Sequence, residues 1–243
     1  MIKEVENWYD SWFDTDYYHI LYQDRDHKEA QFFMDKLTAY LGLGAGDQIL
    51  DLACGKGRHS IYLNSLGFDV TGADLSKNSI EFARKYENDN LRFVVHDMCL
   101  PFDKKFDAVF NLFTSFGYFE NEADNLEALK AIKQNINPTG LGVIDFMNVD
   151  YVIPNLVPNE NKLVNDINFE IRRYLKNNHI IKEISFMDKD EKRNYTEKVR
   201  ALSLDDFKTY FKQANIDLLD IFGDYNLNSF HSQTSERLIM IFK

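Results

Sequence analysis

The stretch of this 243-residue chain best equipped for chemistry is Asp51-Leu52-Ala53-Cys54-Gly55-Lys56-Gly57-Arg58-His59. It closes a short apolar run, Ile49 to Ala53, and precedes a stretch carrying Ile61, Leu63 and Leu66 at mostly helical spacing. It therefore reads as the turn from a strand into a helix. Glycines at such a turn let backbone approach a ligand without a Cβ in the way, and the helix start offers free N–H groups. Two more acids repeat the placement: Asp51, Asp74 and Asp97 stand 23 residues apart, each at the expected end of a strand. A strand-plus-helix unit needs about that length, so the three carboxylates should line one edge of a parallel sheet. An ionised carboxylate only accepts hydrogen bonds. Asp74 then suits a pair of sugar hydroxyls, and Asp97 an exocyclic amine.

That pairing describes an adenosine read at both sugar and base. A phosphate-binding loop is excluded, because Gly55-Lys56 is followed by Gly57 rather than Ser or Thr. The dinucleotide pattern is met only in part, since Ser60 stands where its third glycine belongs, and Asp51 would repel a pyrophosphate. A cationic ligand tolerates that acid. S-adenosylmethionine carries an adenosine, an amino group and a positive sulfur, and no phosphate. His59 reads either as a first-turn helix residue or as a base, and His96, beside Asp97, either as a packed histidine or as an acid/base. The chain's two cysteines, Cys54 and Cys99, lack the spacing of a zinc site with either histidine, so no metal is expected.

These residues need a scaffold. Runs at Phe68 to Ala73, Leu91 to Val95, Ala108 to Phe113 and Leu141 to Met147 alternate with helical stripes at Lys77 to Tyr86, capped by Ser76, and at Asn121 to Asn135. Such alternation predicts an α/β chain: a doubly wound, Rossmann-like, mostly parallel sheet with helices on both faces. The break Asn137-Pro138-Thr139-Gly140 predicts a turn before the fifth strand. Residues 148–202 differ. Phe169 to Ile171 and Ile180 to Ile184 suggest antiparallel strands, separated by the turn-rich Lys176 to Asn178 and Asp188 to Arg193. That section is too short for an independent core and is expected as a β-ribbon insertion or lid. A helix from Ser203 to Ala214 and strands at Ile216 to Phe222 and Arg237 to Phe242 close the chain. The expectation is one domain: a helical cap over 1–46, a cofactor-binding core over 47–147, the insertion over 148–202, and the last helix and strand pair over 203–243.

The cap is aromatic, with Trp8, Tyr9, Trp12, Phe13, Tyr17, Tyr18 and Tyr22. These rings either cover a sheet edge or, through Tyr17, Tyr18 or Tyr22, close over a sulfonium, which aromatic faces attract. Arg25 would then meet a carboxylate of the ligand, or pair locally with Asp24 and Asp26.

With 28 basic against 39 acidic side chains, the net charge is −11, which disfavours nucleic acid or any partner gripped through phosphates. The longest apolar run, Leu238 to Phe242, is far short of the ~18 residues of a membrane span. No leader-like apolar start is present, so a cytoplasmic protein is expected.

Over about Ile49 to Met147 the chain resembles the class I S-adenosylmethionine-dependent methyltransferases. The resemblance rests on Asp51 to Gly57, on Gly72-Ala73-Asp74-Leu75-Ser76, on His96-Asp97-Met98, and on Asn137 to Gly140, where Thr139 replaces a usual glycine. Ala53 also stands where the family more often has glycine. The aromatic start and the β-rich section after the fifth strand resemble the bacterial small-molecule subgroup. The resemblance implies a seven-stranded sheet with an antiparallel C-terminal hairpin. It implies that Ala53, Gly55 and Gly57 line the methionine part and Asp51 supports its amino group. Asp74, with Leu75 beside it, would hold the ribose, and Asp97 and Met98 the adenine. Asn111 to Phe113 would face the methyl donor. No Asn-Pro-Pro-Tyr, Asp-Pro-Pro-Tyr or Pro-Cys segment of the DNA-modifying members is present, so a small-molecule acceptor is expected. Two alternatives stay open: a nicotinamide-dependent oxidoreductase on the same fold, and a non-catalytic S-adenosylmethionine-binding protein.

Overall fold

The computed structural model describes residues 12–22, 27–119 and 121–243; Trp8, Tyr9 and Arg25 lie outside the described residues. In chain order the elements begin with helices α1 (Asp16–Leu21) and α2 (His27–Tyr40). Strand β1 (Gln48–Leu52), α3 (Arg58–Ser65), β2 (Asp69–Asp74), α4 (Lys77–Ala83) and β3 (Leu91–Val95) follow. Next come β4 (Phe106–Asn111), α5 (Glu122–Asn135), β5 (Ile136–Met147) and the short α6 (Val149–Val152). Four strands succeed them: β6 (Asn159–Val164), β7 (Ile167–Lys176), β8 (His179–Asp188) and β9 (Glu191–Arg200). The chain closes with α7 (Leu204–Gln213), β10 (Leu218–Phe222) and β11 (Arg237–Phe242). It divides into two compact units, residues 26–151 with 202–243, and residues up to 25 with 152–201.

The larger unit is built on a seven-stranded sheet in the order β10-β11-β5-β4-β1-β2-β3. Strands β1 to β5 run parallel, and β11 lies antiparallel to both β5 and β10. Because both faces are covered, the inner strands are buried along their length: Ile49, Leu50, Val109 and Phe110 expose almost nothing. On one face, Phe33, Met34 and Leu37 of α2, Leu63 of α3 and Ile80 of α4 join Ile49, Phe93 and Phe110 in a single apolar cluster. On the other, Phe207 and Phe211 of α7 meet Phe146 and Phe242 at ring separations of 5.4 and 5.0 Å. The caps follow the sequence. Ser76 accepts the Ser79 N–H at the start of α4, and Ser203 and Asp206 form a reciprocal capping box on α7.

The chain winds β1, β2, β3 outward, then returns to β4 on the far side of β1. That reversal opens a crevice at the C-terminal ends of β1 and β4, where ligands of open α/β sheets sit.

Two expectations within this unit change. The helix foreseen to Tyr86 ends at Ala83 and tightens into a 3₁₀ turn over Arg84–Tyr86. Asn137 to Gly140 is not a turn but the irregular start of β5. Ile136 pairs with Phe106, and the register then shifts before Leu141 pairs with Ala108. Gly140 is required there because a Cβ would stand 2.8 Å from the Phe106 carbonyl oxygen.

The smaller unit carries the antiparallel strands expected of a β-ribbon, four of them in a meander, β6-β7-β8-β9. Its three links are two-residue turns, Asn165-Asp166, Asn177-Asn178 and Lys189-Asp190, each residue with φ between 47 and 67°. Asn and Asp tolerate that backbone, and such turns match the twist of paired strands. The segment lacks enough apolar residues to form a core alone, and the aromatic start of the chain supplies the rest. Trp12 is almost wholly buried against Tyr195, with ring centroids 4.5 Å apart, and its Nε1 donates to Glu197 at 2.8 Å. Tyr17 packs on Phe186 and donates to Asp188, while Tyr22 donates to Glu197 and accepts from Lys182. Tyr18 rests edge-on against Trp12. The rings expected over a sheet edge or a cofactor are thus placed on one face of this sheet.

Candidate active site

At the end of β1 the chain turns sharply, with Ala53, Gly55 and Gly57 at φ 61, 55 and 81°. The left-handed backbone at Ala53 gives the physical reason a glycine is common there: alanine accepts it at a steric cost of about 1–2 kcal/mol. Gly55 faces open space, with nothing within 4 Å of where a Cβ would stand. Gly57 serves packing instead. Its Cβ would lie 2.5 Å from the Phe93 ring, and it caps α3 with no side chain. The same ring and the Ser60 hydroxyl close in on Gly72, so α3 lies tight against β2 and β3.

Asp51 is 2% exposed and accepts the Ser60 hydroxyl at 2.6 Å. Burial pushes its carboxyl up to about 6; the bond from Ser60 opposes this, and the neighbouring Asp74 adds to it. Among the described residues no cation hydrogen-bonds to it, although the nearby Arg58 charge also opposes the rise. Ser60 is more than a missing glycine: it holds this carboxylate in place.

Asp74 ends β2 with both oxygens on backbone, Oδ2 accepting from Gly55 N and Oδ1 from Ser76 N, each at 2.8 Å. The acid therefore ties the glycine turn to the start of α4, and a carboxylate has further lone pairs with which to accept from a ligand. Leu75 beside it is an exposed apolar side chain. Asp97 is exposed two residues beyond β3 and uses Oδ1 for the Cys99 N–H at 2.9 Å; Met98 is half-buried. Strands β1, β2 and β3 are neighbours, so the three acids of equal spacing stand along one sheet edge, as expected.

His96 takes the packed alternative, its Nε2 within 2.8 Å of the Leu100 carbonyl and its ring 3.9 Å from that of Phe102. His59 stacks on Phe113 at 4.4 Å, and its Nε2 lies 2.6 Å from an Arg58 nitrogen. Arginine only donates, so that Nε2 is the acceptor in this contact. Cys54 and Cys99 are free thiols, and burial raises both, Cys99 to about 12. No group of metal-binding side chains occurs among the described residues.

Opposite the glycine turn, β4 ends in a second strained feature. Asn111 is buried, its Nδ2 donating to the Leu52 carbonyl at 3.3 Å, and its Oδ1 has no hydrogen-bond partner. Phe113 and Thr114 then adopt φ 58 and 60° in succession. Non-glycine residues so placed cost about 1–3 kcal/mol each unless their surroundings hold them. Asp145 of β5 does the holding. Its Oδ2 accepts Phe113 N at 2.8 Å and its carbonyl accepts Thr114 N at 3.0 Å. Arg237 of β11 places Nε and Nη2 on Asp145 Oδ1 at 2.8 and 2.7 Å, and reaches Thr114 Oγ1 at 3.0 Å. Burial drives the Asp145 carboxyl up, against the pull of Arg237. Above the turn, Phe33, Phe113 and Tyr225 pack with ring separations of 4.6 to 5.9 Å. Neither Asp145, Arg237 nor Tyr225 was expected from the sequence. The available signal was an acid inside the apolar run Leu141 to Met147.

This edge fits a cationic nucleoside. It presents a buried carboxylate to which no cation hydrogen-bonds among the described residues, a buried amide oxygen without a donor, and a glycine opening on free space.

Residues 49–140 match the model of a family described as a methyltransferase domain. Among curated proteins, the chain is similar to the putative methyltransferase YqeM of Bacillus subtilis, 37% identical over 40% of this chain and 41% of that one. It spans 35 to 55% of the length of the first curated relatives it matches. Among solved structures, it superposes on an S-adenosylmethionine-dependent methyltransferase from Clostridium acetobutylicum with a TM-score of 0.78 and 22% identity, covering 93% of this chain and 95% of that one. The sugar N-methyltransferase KedS8 of Streptoalloteichus superposes with a TM-score of 0.73 and 18% identity, over 92% of each chain.

Proposed function

We propose that the chain, whose residues 49–140 match a methyltransferase domain, transfers a methyl group from S-adenosylmethionine to a small-molecule acceptor. The observation that carries the reading is Asp51, a carboxylate buried beside the glycine turn whose charge a bound cation would balance. That side chain would meet the amino group. Backbone at Ala53 and Gly55 would line the methionine part, Asp74 would accept from the ribose, and Leu75, Asp97 and Met98 would hold the adenine. Gly57 supports the turn from behind, through its packing on Phe93. When bound, the cofactor supplies a methyl on positive sulfur, already activated for in-line displacement. The protein's own work is then positioning and exclusion of water. Asn111 and the aromatic group of Phe33, His59, Phe113 and Tyr225 would provide it, with His59 stacking rather than moving a proton.

A small acceptor is supported by the net charge of −11 and by the likeness to KedS8, a sugar N-methyltransferase. Among the described residues no helix is long and apolar enough to cross a membrane. A cytoplasmic setting belongs to the same proposal, supported by two free thiols.

The test is incubation with methyl-labelled S-adenosylmethionine and a cell extract divided into metabolites, protein and RNA. Label in the metabolite fraction is the expected result. Label confined to protein or RNA overturns the acceptor class. Tight binding of S-adenosylhomocysteine with no transfer to any fraction makes the chain a non-catalytic binder.

A further inference from the structure

Asp145 and Arg237 are oddly expensive residues for a central sheet. Asp145 is fully buried, and a hydrophobic pair in that place would hold the core at least as well. Apart from a long 3.5 Å contact from the Tyr225 hydroxyl to Asp145, their side-chain hydrogen bonds join them to each other and to one segment. The Phe113 N–H donates to the Asp145 carboxylate and the Thr114 N–H to the main-chain carbonyl of the same residue, while Arg237 donates to both the Asp145 carboxylate and Thr114 Oγ1. Those are the two consecutive residues in left-handed backbone. The turn they form ends β4 at the crevice and carries the Phe113 ring, which stacks on His59 of the glycine-turn side and packs against Tyr225.

We propose that the Asp145–Arg237 pair is a positioning device that holds the Phe113-Thr114 turn in its strained form, so that the Phe113 and His59 rings stand as a fixed wall where the methyl acceptor must approach. The inference rests on the methyl-transfer reading of the site. The carboxylates and glycine turn that would bind the cofactor belong to β1, β2 and β3, and from the turn after β4 only the Phe113 ring would touch the donor, so the device should act mainly on the rate of transfer. An asparagine at 145 can accept from Arg237 or from the Phe113 N–H through one oxygen but must point its amide donors at the other, so the turn loses a holder.

The experiment compares the full-length chain with Asp145→Asn, Arg237→Lys and the double variant Asp145→Asn/Thr114→Gly. Three quantities are read: hydrogen exchange of the peptide carrying Phe113 and Thr114, the Kd of S-adenosylhomocysteine, and label transfer to the metabolite fraction of the extract. For Asp145→Asn the expected result is faster exchange at that peptide, a Kd within about threefold of the parent, and a transfer rate lower by about tenfold or more through kcat. Arg237→Lys keeps the buried charge but loses the fork onto Thr114, so it should give a smaller loss of the same kind and serves if Asp145→Asn fails to fold. Glycine at 114 adopts the left-handed backbone without strain and should recover part of the lost rate. A purely structural role would show no such recovery. Unchanged exchange, unchanged transfer, or a loss that falls on cofactor affinity overturns the proposal. A parent chain that binds S-adenosylhomocysteine yet labels nothing defeats the methyl-transfer reading itself, which is a different outcome.

Discussion

Replacing Asp51 by asparagine should make the protein more stable at neutral pH and worse at binding its cofactor. The side chain is buried, and burial lifts its carboxyl from 3.8 to about 6. Its folded-state pKa therefore lies above the unfolded one, so the native state holds the proton more tightly. The group's stabilising contribution is complete below about pH 4, falls as pH rises through about 6, and stays lost above that. At about 1.4 kcal/mol for each tenfold in proton affinity, the ionised carboxylate costs about 3 kcal/mol at pH 7.5. The amide of Asp51→Asn would keep an oxygen for the Ser60 hydroxyl and remove that cost. A domain of this size gains about 2–4 °C in Tm per kcal/mol, so the asparagine variant should melt roughly 6–12 °C higher at pH 7.5. At pH 4, where the parent Asp51 is already neutral, the two should melt together. Calorimetric titration with S-adenosylhomocysteine, whose amino group is cationic, should show the reverse order, with the variant binding more weakly at pH 7.5. The parent's affinity should fall on acidification below about pH 6 while the variant's stays level over the same range. A variant that is less stable at pH 7.5, or whose gain is equal at both pH values, would refute the reasoning from burial. Unchanged affinity would remove Asp51 from the amino-group site.

Three further substitutions probe the same edge. Asp74→Ala removes the acceptor of both Gly55 N–H and Ser76 N–H. It should weaken S-adenosylhomocysteine binding by about 1–3 kcal/mol, read by calorimetry; an unaltered Kd rules out the ribose role. Ala53→Gly relieves a φ of 61° and should raise the denaturant midpoint by the equivalent of about 0.5–1 kcal/mol, where a loss would contradict the strain. Gly57→Ala places a methyl 2.5 Å from Phe93 at a φ of 81°. It should cost at least about 1–3 kcal/mol in chemical denaturation, and a neutral result would show that α3 has room to move.

Much of the larger unit was legible in order and type. Apolar runs of strand length alternate with helical stripes, and Ser76 and Ser203 mark helix starts that the structure caps as read. Where the reading missed, non-local contacts had the deciding vote. Asn137-Pro138-Thr139-Gly140 has the composition of a turn, yet pairing of Ile136 with Phe106 draws it into β5 as an irregular start. Strands β6 and β9 are strongly polar and carry little local signal. Each is held by its neighbour in the meander and, on one face, by rings far away in sequence, as when Trp12 meets Tyr195 and Glu197. The section after β5 looked too short for a core of its own because the rest of that core is at the other end of the chain.

The sequence alone determined the sheet edge. Three acids at equal spacing, each at or within two residues of a strand end in a parallel unit, must come to the same side, because every strand–helix repeat returns the chain to that edge. Local periodicity and the glycine turn suffice for this, as both act over a few residues. Tertiary structure decided what each acid is worth. Burial, not residue type, raises Asp51 to about 6; the approach of Phe93, not chain flexibility, demands Gly57. It also brought Asp145 and Arg237, 92 residues apart, onto a turn that neither adjoins in sequence. Desolvation and strain arise only when distant segments pack, which is why no spacing rule could have announced them.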